Sequence, residues 1–257
     1  MTKKWITFDL DGTLMQNPFQ DGVFPEIDRL AERFLGSGQR IFPELVLEHR
    51  KRMASGLIVD AYNWDDIIQD VFARKGIPIK INVEELVRKH SVPPKIFLLE
   101  DGVVETLQEL KEKGFSLAVV TNGFEKYQKP VMDVLGLTNF FEAVITPEKV
   151  GFGKPQLEMV EGLLEGGSEI IAHVGDRLDH DVVLANELDV LSVLLFANMP
   201  EVMKHTATSK RSEMKECQDW LSEKWGKETN DDTLPNKAIP KLVIQSIKEM
   251  NRGSLFL

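Results

Sequence analysis

The 257-residue sequence predicts an α/β protein, a buried parallel sheet layered with helices and carrying an all-helical module set into it. Three observations carry the prediction. Short β-rich runs recur along the chain, helical periodicity fills the gaps between the later runs, and one long early stretch keeps helical spacing without a strand.

The predicted strands lie at residues 5–8, 115–120, 141–145, 170–174 and 190–196, each bounded by acidic, Gly, Asn or Pro residues. Between them Val103, Val104, Leu107 and Leu110 share one helical face, and the run 155–164 opens on a proline suited to a first helical turn. Alternation of strand and helix implies right-handed crossovers between parallel strands. From about residue 15 to 98 the rhythm breaks. Ile27, Leu30, Ala31 and Phe34, then Trp64, Ile67, Ile68, Val71 and Phe72, keep helical spacing. This predicts a helical module at 16–98 inserted into a core of 1–15 and 99–257, with hinges at the turn-rich flanks 16–25 and 91–94. Residues 200–240 read as a polar, partly helical insertion within the core, followed by a short strand at Leu242, Val243 and Ile244 and a terminal helix. No internal repeat is present.

A net charge of −10 argues against nucleic-acid polymers and anionic membranes as partners and favours small polar molecules. The single cysteine, Cys217, excludes an intramolecular disulfide and a cysteine-rich zinc site. No apolar stretch reaches the roughly 20 residues of a membrane span. The charged start MTKKW runs directly into a strand, so a cytoplasmic protein, monomer or homodimer, is expected.

The first strand ends in Phe8-Asp9-Leu10-Asp11-Gly12-Thr13-Leu14, two carboxylates at the carboxyl edge of a sheet, where open α/β folds bind ligands. Gly12 lets the chain turn so that both converge on one pocket. One carboxylate can attack phosphorus while the other protonates the leaving oxygen and later activates water; the alternative is a simple turn cap. The second strand leads into Thr121-Asn122-Gly123, a hydroxyl and backbone amides suited to phosphate oxygens, or an ordinary turn. Gly151-Phe152-Gly153-Lys154-Pro155 offers a cation before a helix start. The acidic loop Gly175-Asp176-Arg177-Leu178-Asp179-His180-Asp181 suits magnesium, which prefers oxygen ligands. Four such motifs, each at a strand's carboxyl end, are far more specific than any one alone.

Through these motifs, FDLDGTL, VTNG, the lysine of GFGKP and GDRLDHD, the sequence resembles the haloacid dehalogenase superfamily over residues 4–198. The resemblance implies a Rossmann-like three-layer core under a mobile helical cap. It further implies a phosphatase that uses Mg2+ and an aspartyl-phosphate intermediate on a small phosphorylated metabolite. Asp9 then matches the nucleophile and Asp11 the general acid/base, whose backbone oxygen also ligates the metal. Thr121, Asn122 and Lys154 match the phosphate-binding set, and Asp176 with Asp181 completes the metal set of Asp9 and Asp11. Gln156 stands where relatives often have Asp, and the insertion after Met199 departs from the pattern.

Dehalogenating members lack a second aspartate two residues after the nucleophile, so Asp11 favours phosphoryl chemistry. Phosphonate cleavage would call for a Schiff-base lysine in the cap, Lys51 for example. A phosphomutase shares the same acids and differs in excluding water, and a non-catalytic phosphate-binding module would be expected to have lost Asp9 or Asp11. TNGFEKYQ with GDRLDHDV is similar to branches acting on nucleoside monophosphates and sugar-acid phosphates. The run His49-Arg50-Lys51-Arg52 could meet a second anionic group, and Phe19, Phe24 and Trp64 could stack on a base or sugar, although helical spacing equally suits a solvated face and a core. Trp220 and Trp225 could dock a partner.

Overall fold

The structure, a computed structural model, describes residues 2–251. In chain order the strands are β1 (Lys4–Phe8), β2 (Met15–Gln16), β3 (Phe97–Leu98), β4 (Ser116–Val120), β5 (Ala143–Ile145), β6 (Glu169–Gly175), β7 (Leu191–Leu195) and β8 (Leu242–Ile244). Six form one parallel sheet in the order β5-β4-β1-β6-β7-β8, while β2 and β3 make a separate antiparallel ribbon. The chain builds outward from β1 through β4 and β5, then returns to β6 on the other side of β1 and builds outward again. This reversal leaves a crevice at the carboxyl end of β1.

Apolar residues alternate between the faces, as a sheet covered on both sides requires. Ile6 and Phe8 of β1, with Leu117 and Val119 of β4, join the main core. Trp5, Ala118 and Val120 point the other way, onto Met159, Val160 and Leu163. The helical turns in that layer run over Leu157–Gly167, two residues later than the expected start at Pro155.

Between β2 and β3 the helices are α1 (Phe24–Leu35), α2 (Phe42–Ala54), α3 (Ile58–Ala61), α4 (Trp64–Arg74) and α5 (Val83–His90). Their starts have local causes. Pro25 and Pro43 occupy first-turn positions of α1 and α2, and the Asn63 and Asn82 side chains accept the amides of Asp66 and Glu85 at 3.4 and 3.2 Å. Ile27, Ala31, Ile67, Ile68, Val71 and Phe72 are buried and continuous with the sheet's core. Phe34, which shares their helical spacing, falls in the last turn of α1 and is 46% exposed.

The core helices are α6 (Val103–Glu112), α7 (Glu125–Val134), α8 (Pro147–Val150) and α9 (Val183–Glu187), and the polar insertion folds as α10 (Glu201–Lys204), α11 (Thr208–Arg211) and α12 (Lys215–Thr229). The tryptophans proposed as docking groups serve the chain's own packing. Trp225 is buried with Cys217 and Leu221, and Trp220 stacks on Phe196 at 3.5 Å between ring centroids. Arg211, 2% exposed, pairs with Glu249 at 2.6 and 3.0 Å and donates to the carbonyls of Met203, Thr206, Lys204 and Val243, tying the insertion to β8. Removing that cation takes from the buried Glu249 carboxylate the guanidinium that balances its charge, so Arg211→Met is expected to cost about 3 kcal/mol in thermal unfolding. A loss below about 1 kcal/mol would show that the insertion is held by its apolar contacts alone.

Candidate active site

The site grows from the end of β1. The Asp9 amide donates to the Val174 carbonyl at 2.8 Å, extending the β1–β6 pairing by one residue and setting the carboxylate over the sheet edge. The chain then folds back, with the amides of Leu14 and Met15 both on the Leu10 carbonyl. Gly12 sits at φ +83°, and a Cβ there would lie 2.8 Å from Asp176 Oδ2, so this turn both requires glycine and seats itself against the fourth motif.

Lys154 is the centre of charge. Its Nζ donates to Asp9 Oδ1 and to Asp181 Oδ1, each at 2.6 Å, with all three side chains buried. Its backbone is clamped by Asn122, whose Oδ1 accepts the Lys154 amide at 2.7 Å and whose Nδ2 donates to its carbonyl at 3.3 Å. The Asn122 side chain thus holds the lysine loop, while the backbone amides expected to meet phosphate lie in the same turn. Thr121 is buried, and its Oγ1 accepts the Gly123 amide at 3.2 Å. Asp181 also receives the Arg177 amide on Oδ2 at 3.0 Å and faces His173 Nε2 at 3.0 Å, while His173 Nδ1 lies 2.8 Å from Thr7 Oγ1.

Carboxylate oxygens of Asp9, Asp176 and Asp181 all lie within 4.8 Å of one another. Burial pushes Asp9 up to about 6 in spite of Lys154, and burial followed by the charges of Asp9 and Asp181 pushes Asp176 up to about 8. Burial alone would raise Asp181 too, but the Lys154 charge and then His173 outweigh it and hold Asp181 well below the usual carboxylate range. Asp9 and Asp181 share one ammonium with Asp176 close by, and an all-oxygen set with excess negative charge fits a hard divalent cation. Such an ion takes the ionised groups, so its apparent affinity is expected to rise with pH, up to about tenfold per unit between about 6 and 8. In the metal-free protein the sign reverses. The raised values of Asp9 and Asp176 contribute stability present below the ordinary carboxylate range and lost as pH rises through about 6 and about 8. Calorimetric titration at pH 6, 7 and 8 checks the first statement, and a pH-independent affinity would remove the carboxylates as ligands.

The Asp11 side chain stands apart from this trio. Its Oδ2 accepts from Gln128 Nε2 at 2.6 Å, its Oδ1 is buried without a partner, and burial raises its pKa above the ordinary value. Any metal contact by Asp11 therefore falls to its backbone oxygen. Gln128 escaped the sequence reading, as did Thr7, Thr13 and His173, because nothing in a helical TNGFEKYQ run or a buried strand marks one polar residue as facing the site. Thr13 Oγ1 donates to Asp9 Oδ2 at 3.3 Å. One local signal for Gln128 does exist: Gly123, where a Cβ would come within 2.1 Å of Gln128 Nε2.

In the helical module, Arg52 is buried against Glu48, Asp66 and Asp70, so it offers nothing to a second anion. His49 stacks on Trp64, and its Nδ1 lies 2.6 Å from the Ala61 carbonyl oxygen. Phe19, Phe24 and Trp64, given no firm role from sequence, line a cavity that also contains Asp11 and Gln128.

A parallel sheet with a lysine-bridged carboxylate set at its switch point defines an enzyme of acid–nucleophile architecture. Residues 3–189 match the haloacid dehalogenase-like hydrolases, and the chain belongs to that family. It is 32% identical over 200 residues to a glyceraldehyde 3-phosphate phosphatase of Methanocaldococcus jannaschii, covering 74% of this chain and 83% of that one. A phosphoglycolate phosphatase of Aquifex aeolicus is 28% identical over 162 residues, covering 62% and 68%. In fold, the chain matches the crystal structure of a HAD phosphatase from Thermococcus onnurineus with a TM-score of 0.64 at 21% identity over 96% of both chains. Among the described residues no helix is long and apolar enough to cross a membrane.

Proposed function

We propose that this hydrolase is a magnesium-dependent phosphatase that removes phosphate from a small phosphomonoester through an aspartyl-phosphate on Asp9. The observation that carries the reading is the Lys154 ammonium 2.6 Å from Asp9, with an independently held Asp11 two residues on. Both relatives cited above are named for phosphatases of small phosphorylated metabolites, which supports the same reading.

Lys154 offsets part of the burial that raises Asp9 and supplies positive charge where phosphate oxygens arrive, with the hydroxyl of Thr121 at the same sheet edge. Asp9 attacks phosphorus; Asp11, steered by Gln128, gives its proton to the departing alkoxide oxygen. The ionised Asp11 then takes a proton from water, which hydrolyses the acyl phosphate and frees Asp9. A magnesium ion held by Asp9, Asp176 and the backbone oxygen of Asp11, with Asp181 alongside, would offset the repulsion between phosphate and carboxylates. Residues 16–98 act as a cap over the core of 1–15 and 99–257, opening to exchange substrate and product. The test is phosphate release with magnesium across nucleotides, sugar phosphates and short phosphoesters. Turnover that requires both magnesium and Asp9 is expected; a panel with no turnover would overturn the reading.

A further inference from the structure

The cavity beside Asp11 measures about 340 Å³, near the lower end of the roughly 300–1,000 Å³ of small-molecule sites. One wall is aromatic. Phe19 packs at 5.3 Å from Phe24 and 6.0 Å from Trp64, centroid to centroid, and at 5.8 Å from Tyr127, offering ring faces to C–H groups. Beyond Asp11 and Tyr62, the polar lining is amide: Gln16, Asn17, Gln20 and Gln128.

Two features of this wall bear on what it accepts. First, two buried polar atoms of this wall have no partner: Asp11 Oδ1, the oxygen left to carry the acid's proton, and Gln128 Oε1, an acceptor. The Gln128 amide is oriented by its Nε2 bond to the Asp11 carboxylate, so Oε1 is the atom left over, on a side chain only 3% exposed. A buried acceptor without a donor is costly, and a ligand hydroxyl supplies the missing proton. Second, the wall has no lysine, arginine or histidine among its described lining residues. The neighbouring cations are already committed: Lys126 to Asp65 at 2.6 Å, Arg177 to both oxygens of Asp179 at 2.9 and 2.8 Å, and Lys154 to the carboxylates beneath.

We propose that the leaving group is an uncharged, hydroxyl-bearing carbon chain, a polyol or aldose whose hydroxyl donates to Gln128 Oε1, and that carboxylate-bearing phosphoesters are discriminated against. This rests on the phosphatase reading and narrows it, setting aside the sugar-acid phosphates. A substrate carboxylate would set its oxygens against the Gln128 Oε1 acceptor, with no cation among the described lining residues to meet it, whereas a hydroxyl both donates and accepts.

Glycerol 3-phosphate and 3-phosphoglycerate differ by a hydroxymethyl group against a carboxylate and make the test. With the magnesium-loaded protein, kcat/KM is expected to be about tenfold or more higher for glycerol 3-phosphate. Gln20→Lys, which puts a cation on the exposed rim of the cavity, is expected to narrow that ratio severalfold, mainly through a lower KM for the acid. Equal or reversed preference in the natural protein, or an unchanged ratio in Gln20→Lys, would overturn the proposal while phosphatase activity stands. Absence of magnesium-dependent turnover on both esters and on p-nitrophenyl phosphate would overturn the phosphatase reading and this proposal with it.

Discussion

Replacing Asp9 with asparagine is expected to lower kcat for phosphomonoester hydrolysis by about four orders of magnitude or more. An amide in place of the carboxylate cannot attack phosphorus, and nothing else in the site stands in for it. Lys154 keeps Asp181 as a partner, and Asp181 keeps the Arg177 amide and His173, so the fold is expected to survive the exchange. The two consequences separate cleanly. Phosphate release should vanish while the unfolding temperature moves by no more than about 4 °C. Mass spectrometry after acid quench should find a phosphate adduct on the natural protein during turnover and none on the variant. A variant within tenfold of the natural rate would rule out the covalent route.

Lys154→Ala is expected to damage both function and stability. Removing one partner of a buried ion pair costs about 3–5 kcal/mol, because the other charge is left uncompensated. Here two partners are abandoned, Asp9 and Asp181, with Asp176 close by. For a chain of this size the loss corresponds to an unfolding temperature lower by on the order of 10 °C. Its pH dependence follows in sign. Without the ammonium, Asp181 loses the charge that holds it well below the usual range, and burial then raises all three carboxylates above their unfolded values. Groups raised on folding contribute stability at low pH that is lost as pH rises through their folded values, so the deficit should be largest near pH 8 and shrink toward pH 5. Magnesium should recover part of it by replacing the missing positive charge. Thermal unfolding from pH 5 to 8, with and without the ion, measures all of this. A deficit independent of pH and metal would mean that Lys154 acts through packing and not through charge.

The sequence by itself determined the parallel α/β core, the placement of a helical module after the first strand, and the four strand-end motifs. Each of these is written locally: β-rich runs, 3.6-residue periodicity, and Gly, Asp or Asn where the chain must turn. Because a parallel sheet brings the carboxyl ends of its strands to one edge, strand-end residues at 9, 121, 154, 176 and 181 converge without being near in sequence. What the tertiary structure alone decided is how those residues divide their work. Lys154 joins Asp9 to Asp181 across 145 and 27 residues of chain, Asn122 serves the lysine loop, and Gln128 reaches across 117 residues to Asp11. The same holds for Arg52, legible as a loose surface cation until Glu48, Asp66 and Asp70 enclosed it, and for Phe19, Phe24 and Trp64, whose spacing suited a core and whose faces line the cavity. A one-dimensional pattern reports which face a side chain takes on its own element. Which atom it meets depends on how the elements pack, since hydrogen bonds and ion pairs are settled over a few ångströms between residues far apart in the chain.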